Sequence, residues 1–134
     1  MTITVTRDRS GKMKHVVHVR EHQFVVDEPA AVGGEDLGPD PHDLYDSALG
    51  VCNAMTVLWL AHRKQMPLED IEVNVDRDAS EERHGLYKLA VTLRLGGPLN
   101  DEHRAELLAA AGKCPVHKLM TQVTTEISIA LAAD

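Results

Sequence analysis

The sequence predicts an α+β protein of mainly antiparallel strands, in the order βββ–α–ββ–α–β. Three observations lead there. Residues 2–27 alternate apolar and polar side chains in three short runs rich in β-branched residues. A Gly- and Pro-punctuated stretch then gives way to a long helical segment that is apolar on nearly every face. Two further alternating runs flank a charged turn and lead into a second helical segment. A chain of 134 residues fits one domain, taken here as 1–134, and can bury a core without a metal or disulfide staple.

Taken in order, Thr2 to Arg7 reads as a strand, and Ser10-Gly11 as a turn. Lys14 to Arg20 and Gln23 to Asp27 are the next two strands, carrying Val16, Val17, Val19, Val25 and Val26. Glu28 to Asp40, with Gly33-Gly34 and Gly38-Pro39, reads as an ordered loop. Asp40-Pro41-His42-Asp43 is a helix start. Asp40 serves as N-cap, Pro41 suits the first helical position, and Asp43 can reach back to the cap. The helix should run to about Gln65 and stop at Met66-Pro67. From Ala48 to Ala61 only Gly50, Asn53 and Thr56 interrupt the apolar positions, so a long buried central helix is expected, covered in part by a second subunit.

Ile71 to Val75 and Leu86 to Leu95 should pair as a hairpin across the charged segment Asp76 to Gly85, closed by Gly96-Gly97-Pro98. Asn100 or Asp101 can cap a second helix that ends at Ala111, with Gly112 as its stop. Pro115 permits a short third helix to about Leu119. The alternation of Ile127, Ile129 and Leu131 predicts a last strand over Glu126 to Leu131.

Composition narrows the class of function. Apolar residues make up 43% and charged residues 26%, the balance of a globular protein, while aromatics are only 3%. A net charge of −7 with no basic stripe argues against nucleic acid or an anionic membrane as partner. The N-terminus alternates and lacks a basic head with an apolar run, so no signal peptide is expected. No apolar stretch is expected to span a bilayer. A cytoplasmic location follows as an expectation, and there a pair of cysteines points to thiol chemistry more than to a structural disulfide.

Cys52 and Cys114 are the only cysteines. Cys52 shares a helix face with Tyr45, Ala48, Met55 and Trp59. Either it is a small buried hydrophobe or it is a reactive thiol served by a cation from elsewhere in the protein. Cys114 precedes Pro115, at the start of a helix whose free N–H groups favour a thiolate, with Lys113 and Lys118 close by. Asp43 lies about 13 Å along the axis from Cys52 and half a turn round the helix. The two can meet only across two copies or through a bend; otherwise Asp43 serves the helix N-terminus. His42 and His117 raise a metal reading, and Cys114 and His117 stand at i, i+3, but no CxxC or HxxxH pair accompanies them and no metal is expected. Arg7, Arg9 and Arg20 are the cations of the N-terminal strands, any of them able to serve a thiolate or to remain solvated.

The segments Asp27-Glu28-Pro29, Gly33-Gly34, Gly38-Pro39-Asp40-Pro41-His42-Asp43-Leu44, Ala48-Leu49-Gly50-Val51-Cys52 and Cys114-Pro115-Val116-His117-Lys118 together resemble the OsmC/Ohr family, the osmotically inducible and organic hydroperoxide resistance proteins. The likeness is to the OsmC-like branch and covers nearly the whole chain. It implies an intertwined homodimer with the Cys-bearing helices at its centre. It also implies a thiol peroxidase that needs no metal, flavin or other cofactor. By this resemblance Cys52 is the peroxidatic thiol, which reduces an organic hydroperoxide to its alcohol and becomes a sulfenic acid. Cys114 is the resolving thiol that closes a Cys52–Cys114 disulfide, and an external dithiol resets the pair. The family places an activating glutamate where His42 stands here; the acid is Asp43, one residue on, and Arg20 is the first candidate for its arginine. This substitution also supports the alternative of a non-catalytic dimer on the same scaffold that binds a small apolar ligand or senses redox state.

Overall fold

In a computed structural model, which describes residues 1–133, the chain forms five strands and three α-helices. The expected α+β class with antiparallel pairing is observed. The chain divides into two compact units, Met1–Ser47 and the remainder from Ala48, and the long helix runs through the division.

The first unit is a three-stranded sheet in the order β1-β2-β3, with β1 (Ile3–Arg7), β2 (His15–Val19) and β3 (His22–Val26). The register pairs Val5 with Val17 and Val17 with Phe24, so the β-branched residues read from the sequence stack across strands. Arg20 opens the two-residue link between β2 and β3 with φ of 53°, a left-handed conformation that a Cβ makes costly. The loop that follows is ordered around one buried carboxylate. Asp27 accepts the backbone N–H groups of Glu28, Glu35 and Leu37 at 2.8, 3.2 and 3.1 Å. Burial would raise its pKa, but these three donors outweigh burial and hold it below the ordinary 3.8. Gly34 is required there, since a Cβ would lie 1.9 Å from the carbonyl oxygen of Glu28.

Helix α1 (Pro41–Arg63) begins as the sequence predicts. Asp40 Oδ1 accepts the Asp43 N–H at 2.8 Å, and Asp43 Oδ2 accepts the Asp40 N–H at 3.0 Å, a reciprocal capping box. It ends in a Schellman turn. Met66 N–H donates to the Ala61 carbonyl at 2.9 Å and Gln65 N–H to the His62 carbonyl at 3.2 Å, with Gln65 taking the left-handed conformation usual for glycine.

The second unit packs a hairpin and two helices on the later part of α1. Strands β4 (Asp70–Asp78) and β5 (Lys88–Gly96) pair antiparallel, β4 running longer than the alternation alone indicates and β5 starting two residues later, and a short 3-10 turn at Glu82–His84 sits in their link. Helix α2 (Asp101–Ala111) is capped by Asn100, whose side chain accepts the His103 N–H at 2.7 Å. Helix α3 spans Pro115–Thr121. The core joins Val57 and Ala61 of α1 to Leu107 and Ala111 of α2, with Leu60, Met66, Ile71, Leu93 and Leu95 around them. Gly50 lets α1 approach the hairpin, because a Cβ there would meet Val75 Cγ2 at 2.9 Å.

Three expectations are corrected. First, α1 is not buried all round: within the second unit Leu49, Asn53, Val57 and Ala61 are covered, while Val51, Met55, Leu58 and Trp59 are exposed, Met55 by 65%. Apolarity marks which faces need cover; it does not say that one chain supplies it. Second, α1 is by length and composition apolar enough to cross a membrane, with a mean hydropathy of 1.2 over its best window. Its packing against α2 and the hairpin accounts for the covered side of the helix, through Val57 and Ala61, and leaves the exposed apolar stripe uncovered. Third, Glu126 to Leu131 forms no strand among the described residues, and Ile127, Ile129 and Leu131 are 80%, 94% and 100% exposed. Alternation selects a face, but a strand also needs a neighbouring backbone, and none among the described residues pairs with this segment.

Candidate active site

The second unit brings the two cysteines together. Cys52 lies mid-helix on α1, where its neighbours one turn away, Ala48, Met55 and Thr56, share a face with Trp59. Cys114 is fully buried at the N-cap of α3, its backbone extended and Pro115 at the first helical position. Its Sγ accepts the His117 backbone N–H at 3.3 Å. The i, i+3 spacing of Cys114 and His117 therefore serves a helix cap.

Burial is the largest cause raising the Cys114 thiol above its ordinary 9.0; the His117 N–H opposes it, and hydrogen bonding and charge from Cys52 add to the rise. Both cysteines are free. A cavity of about 720 Å³ opens beside Cys52, lined by Val51, Cys52, Met55, Trp59, Pro115 and Val116. The Arg63 guanidinium stacks over the Trp59 ring at 5.2 Å, fixing one wall. An apolar cavity lined by the Cys52 thiol can hold an uncharged organic molecule beside sulfur, with no cation or metal cluster among the lining residues.

One residue of this site escaped attention in the sequence. Asn53, 3% exposed, donates from Nδ2 to Cys114 Sγ at 3.2 Å and to the Ala111 carbonyl at 2.9 Å. In the sequence its only signal is a single amide that breaks a largely apolar run.

The other sequence candidates lie in the first unit. Asp43 spends a carboxylate oxygen on the capping box of α1. His42 stands beside it in the first turn, exposed. Arg20 is exposed at the tip of the β2–β3 hairpin.

Comparison with known proteins agrees with this architecture. The family model of OsmC-like proteins matches residues 33–129. The solved structure of an OsmC-like protein from Mycoplasma pneumoniae superposes with a TM-score of 0.73 at 19% identity, over 91% of this chain and 87% of that one. An organic hydroperoxide resistance protein, OsmC, from Legionella pneumophila gives 0.64 at 21% identity, over 90% and 88%. The organic hydroperoxide resistance protein OhrB of Bacillus subtilis gives 0.59 at 25% identity, over 90% of each. A search of curated proteins found no match.

Proposed function

Because the chain belongs to the OsmC-like protein family, we propose that it is a cysteine-based thiol peroxidase that reduces organic hydroperoxides. The observation that carries the reading is an apolar cavity lined by Cys52 and by Pro115 and Val116, the residues that follow the fully buried Cys114. Structural neighbours named for organic hydroperoxide resistance point the same way.

In this mechanism the Cys52 thiolate attacks the peroxide O–O bond. One oxygen stays on sulfur as a sulfenic acid, and the other leaves as alkoxide and takes a proton to become the alcohol. Cys114 then attacks the Cys52 sulfur, the S–O bond breaks, and hydroxide leaves as water with the proton that Cys114 gives up. The disulfide is returned to two thiols by an external dithiol, itself oxidised. The wide apolar wall of Met55, Trp59 and Val116 favours an alkyl or aryl hydroperoxide over hydrogen peroxide. Arg20, with Asp43 or His42, is proposed to activate Cys52. A homodimer that covers the exposed stripe of α1 completes the picture, and a cytoplasmic setting suits the free thiols.

The test is to mix reduced protein with one equivalent of cumene hydroperoxide and follow intact mass on the stopped-flow timescale. Rapid loss of two hydrogens, mapped to a Cys52–Cys114 disulfide, is the expected result. Thiols that survive for many minutes would overturn this reading in favour of a ligand-binding or redox-sensing dimer.

A further inference from the structure

We propose that Asn53 is a positioning residue for the resolving half of the reaction: its amide holds Cys114 Sγ as a hydrogen-bond acceptor, ready to attack the Cys52 sulfur. This rests on the peroxidase reading and adds a residue to it.

The geometry fixes the amide's orientation. Nδ2 lies 2.9 Å from the Ala111 carbonyl, which can only accept, so the amide nitrogen must face it. The same nitrogen lies 3.2 Å from Cys114 Sγ. Both of its hydrogens are thereby spent, one on the turn that carries Cys114 and one on the sulfur itself. The Ala111 carbonyl also accepts the Cys114 N–H, so the amide ties this turn to α1. With the His117 N–H at 3.3 Å, Sγ receives two donors. Donors aimed at sulfur favour the thiolate over the thiol, against the burial that surrounds it.

A second observation shows that stability alone does not explain this residue. Asn53 Oδ1 is buried and has no partner among the described residues. An orphaned buried acceptor is a cost to folding that leucine, of similar size, would avoid. What the amide gives in return is the bond to Cys114. The step it serves is balanced: the Cys114 electron pair forms the S–S bond, the Cys52 S–O bond breaks, and the departing hydroxide leaves as water with the Cys114 proton. Cys52 sulfur is reduced from sulfenic acid as Cys114 is oxidised.

Two measurements test the proposal on the full chain. In a Cys52→Ser background, iodoacetamide reads the Cys114 thiolate as a function of pH. Asn53→Leu, and the isosteric Asn53→Asp should leucine fail to fold, are expected to move the midpoint of alkylation to higher pH. With Cys52 intact, one equivalent of cumene hydroperoxide separates sulfenic acid formation, trapped by dimedone, from disulfide closure. Closure is expected to slow about tenfold, the loss of one charge-assisted hydrogen bond, and by more than the first step slows. An unmoved midpoint, or equal slowing of both steps, would overturn the proposal and leave Asn53 a packing residue. Wild-type protein that ignores hydroperoxide would overturn the peroxidase reading instead, with the alkylation midpoint still deciding the link between Asn53 and Cys114.

Discussion

Cys114 Sγ accepts the backbone N–H of His117 across 3.3 Å, so the thiol proposed to resolve the sulfenic acid is also the N-cap of α3. Two roles on one sulfur can be separated by substitution. Serine is a strong N-cap and keeps an acceptor in that position, whereas alanine removes it. Cys114→Ala should destabilise the protein by about 1 kcal/mol more than Cys114→Ser, read by urea denaturation. Both variants should lose the disulfide and accumulate sulfenic acid on Cys52 after hydroperoxide, read by dimedone trapping.

The Cys114 thiol also predicts a pH signature. Burial first, and then Cys52, hold its proton above the ordinary 9.0. A raised folded-state pKa contributes stability that is complete below the unfolded value and is lost as pH rises through the folded one. Reduced protein should therefore weaken in alkali from about pH 9 upward, more than Cys114→Ser does. The rate of disulfide closure, which needs the thiolate, should still climb at that pH. A closure rate already level at neutral pH would contradict this.

Asp27 gives the opposite sign. Burial would raise its pKa, but the N–H groups of Leu37, Glu28 and Glu35 outweigh it, so the folded value lies below the ordinary 3.8. Its stabilisation is therefore present above the unfolded value and is lost as pH falls through the folded one. Asp27→Asn turns an amide toward backbone donors and should lower the melting temperature at neutral pH. The gap between variant and wild type should narrow on acidification, when followed by circular dichroism melts from pH 7 to 3.

The sequence was legible where local chemistry decides structure. Asp40, Pro41 and Asp43 announce the start of α1, and the valines of β2 and β3 announce their pairing, because caps and alternation act within a few residues. The two cysteines were legible as a pair through their surroundings, but their placement depends on how α1 meets the turn after α2, a meeting that Asn53 bridges. Asn53 was hidden for the same reason: its partners lie 58 and 61 residues away, and no local spacing connects them. The end of α1 was located through Met66-Pro67, while the left-handed Gln65 that forms the turn carries no glycine to mark it. The alternating tail at Ile127, Ile129 and Leu131 misled because a strand is a property of two backbones.

The exposed stripe of Val51, Met55, Leu58 and Trp59 predicts the assembly state. Large apolar side chains one helical turn apart mark an interface when nothing in their own chain covers them. The protein should elute and scatter light at twice the 14.7-kDa chain mass. Met55→Lys should shift it to the monomer mass or into aggregates by placing a charge in that interface. A wild-type protein that remains monomeric at high micromolar concentration would contradict the dimer.

Arg20 offers the cleanest separation of stability from activity. Its φ of 53° sits where asparagine and glycine are favoured and a long side chain is strained. Arg20→Asn should therefore stabilise the β2–β3 hairpin by roughly 0.5–1 kcal/mol if the turn is its only role, measured by denaturant melts. Strain kept at one position is most readily understood where the side chain has work elsewhere. Under the proposed mechanism the guanidinium activates Cys52, so the same variant should reduce cumene hydroperoxide at least tenfold more slowly, the effect of losing one favourable charge. Gain of stability with loss of rate identifies Arg20 as a functional residue. Gain of stability with an unchanged rate would confine it to the turn, and the search for the activating cation would pass to Arg7 and Arg9.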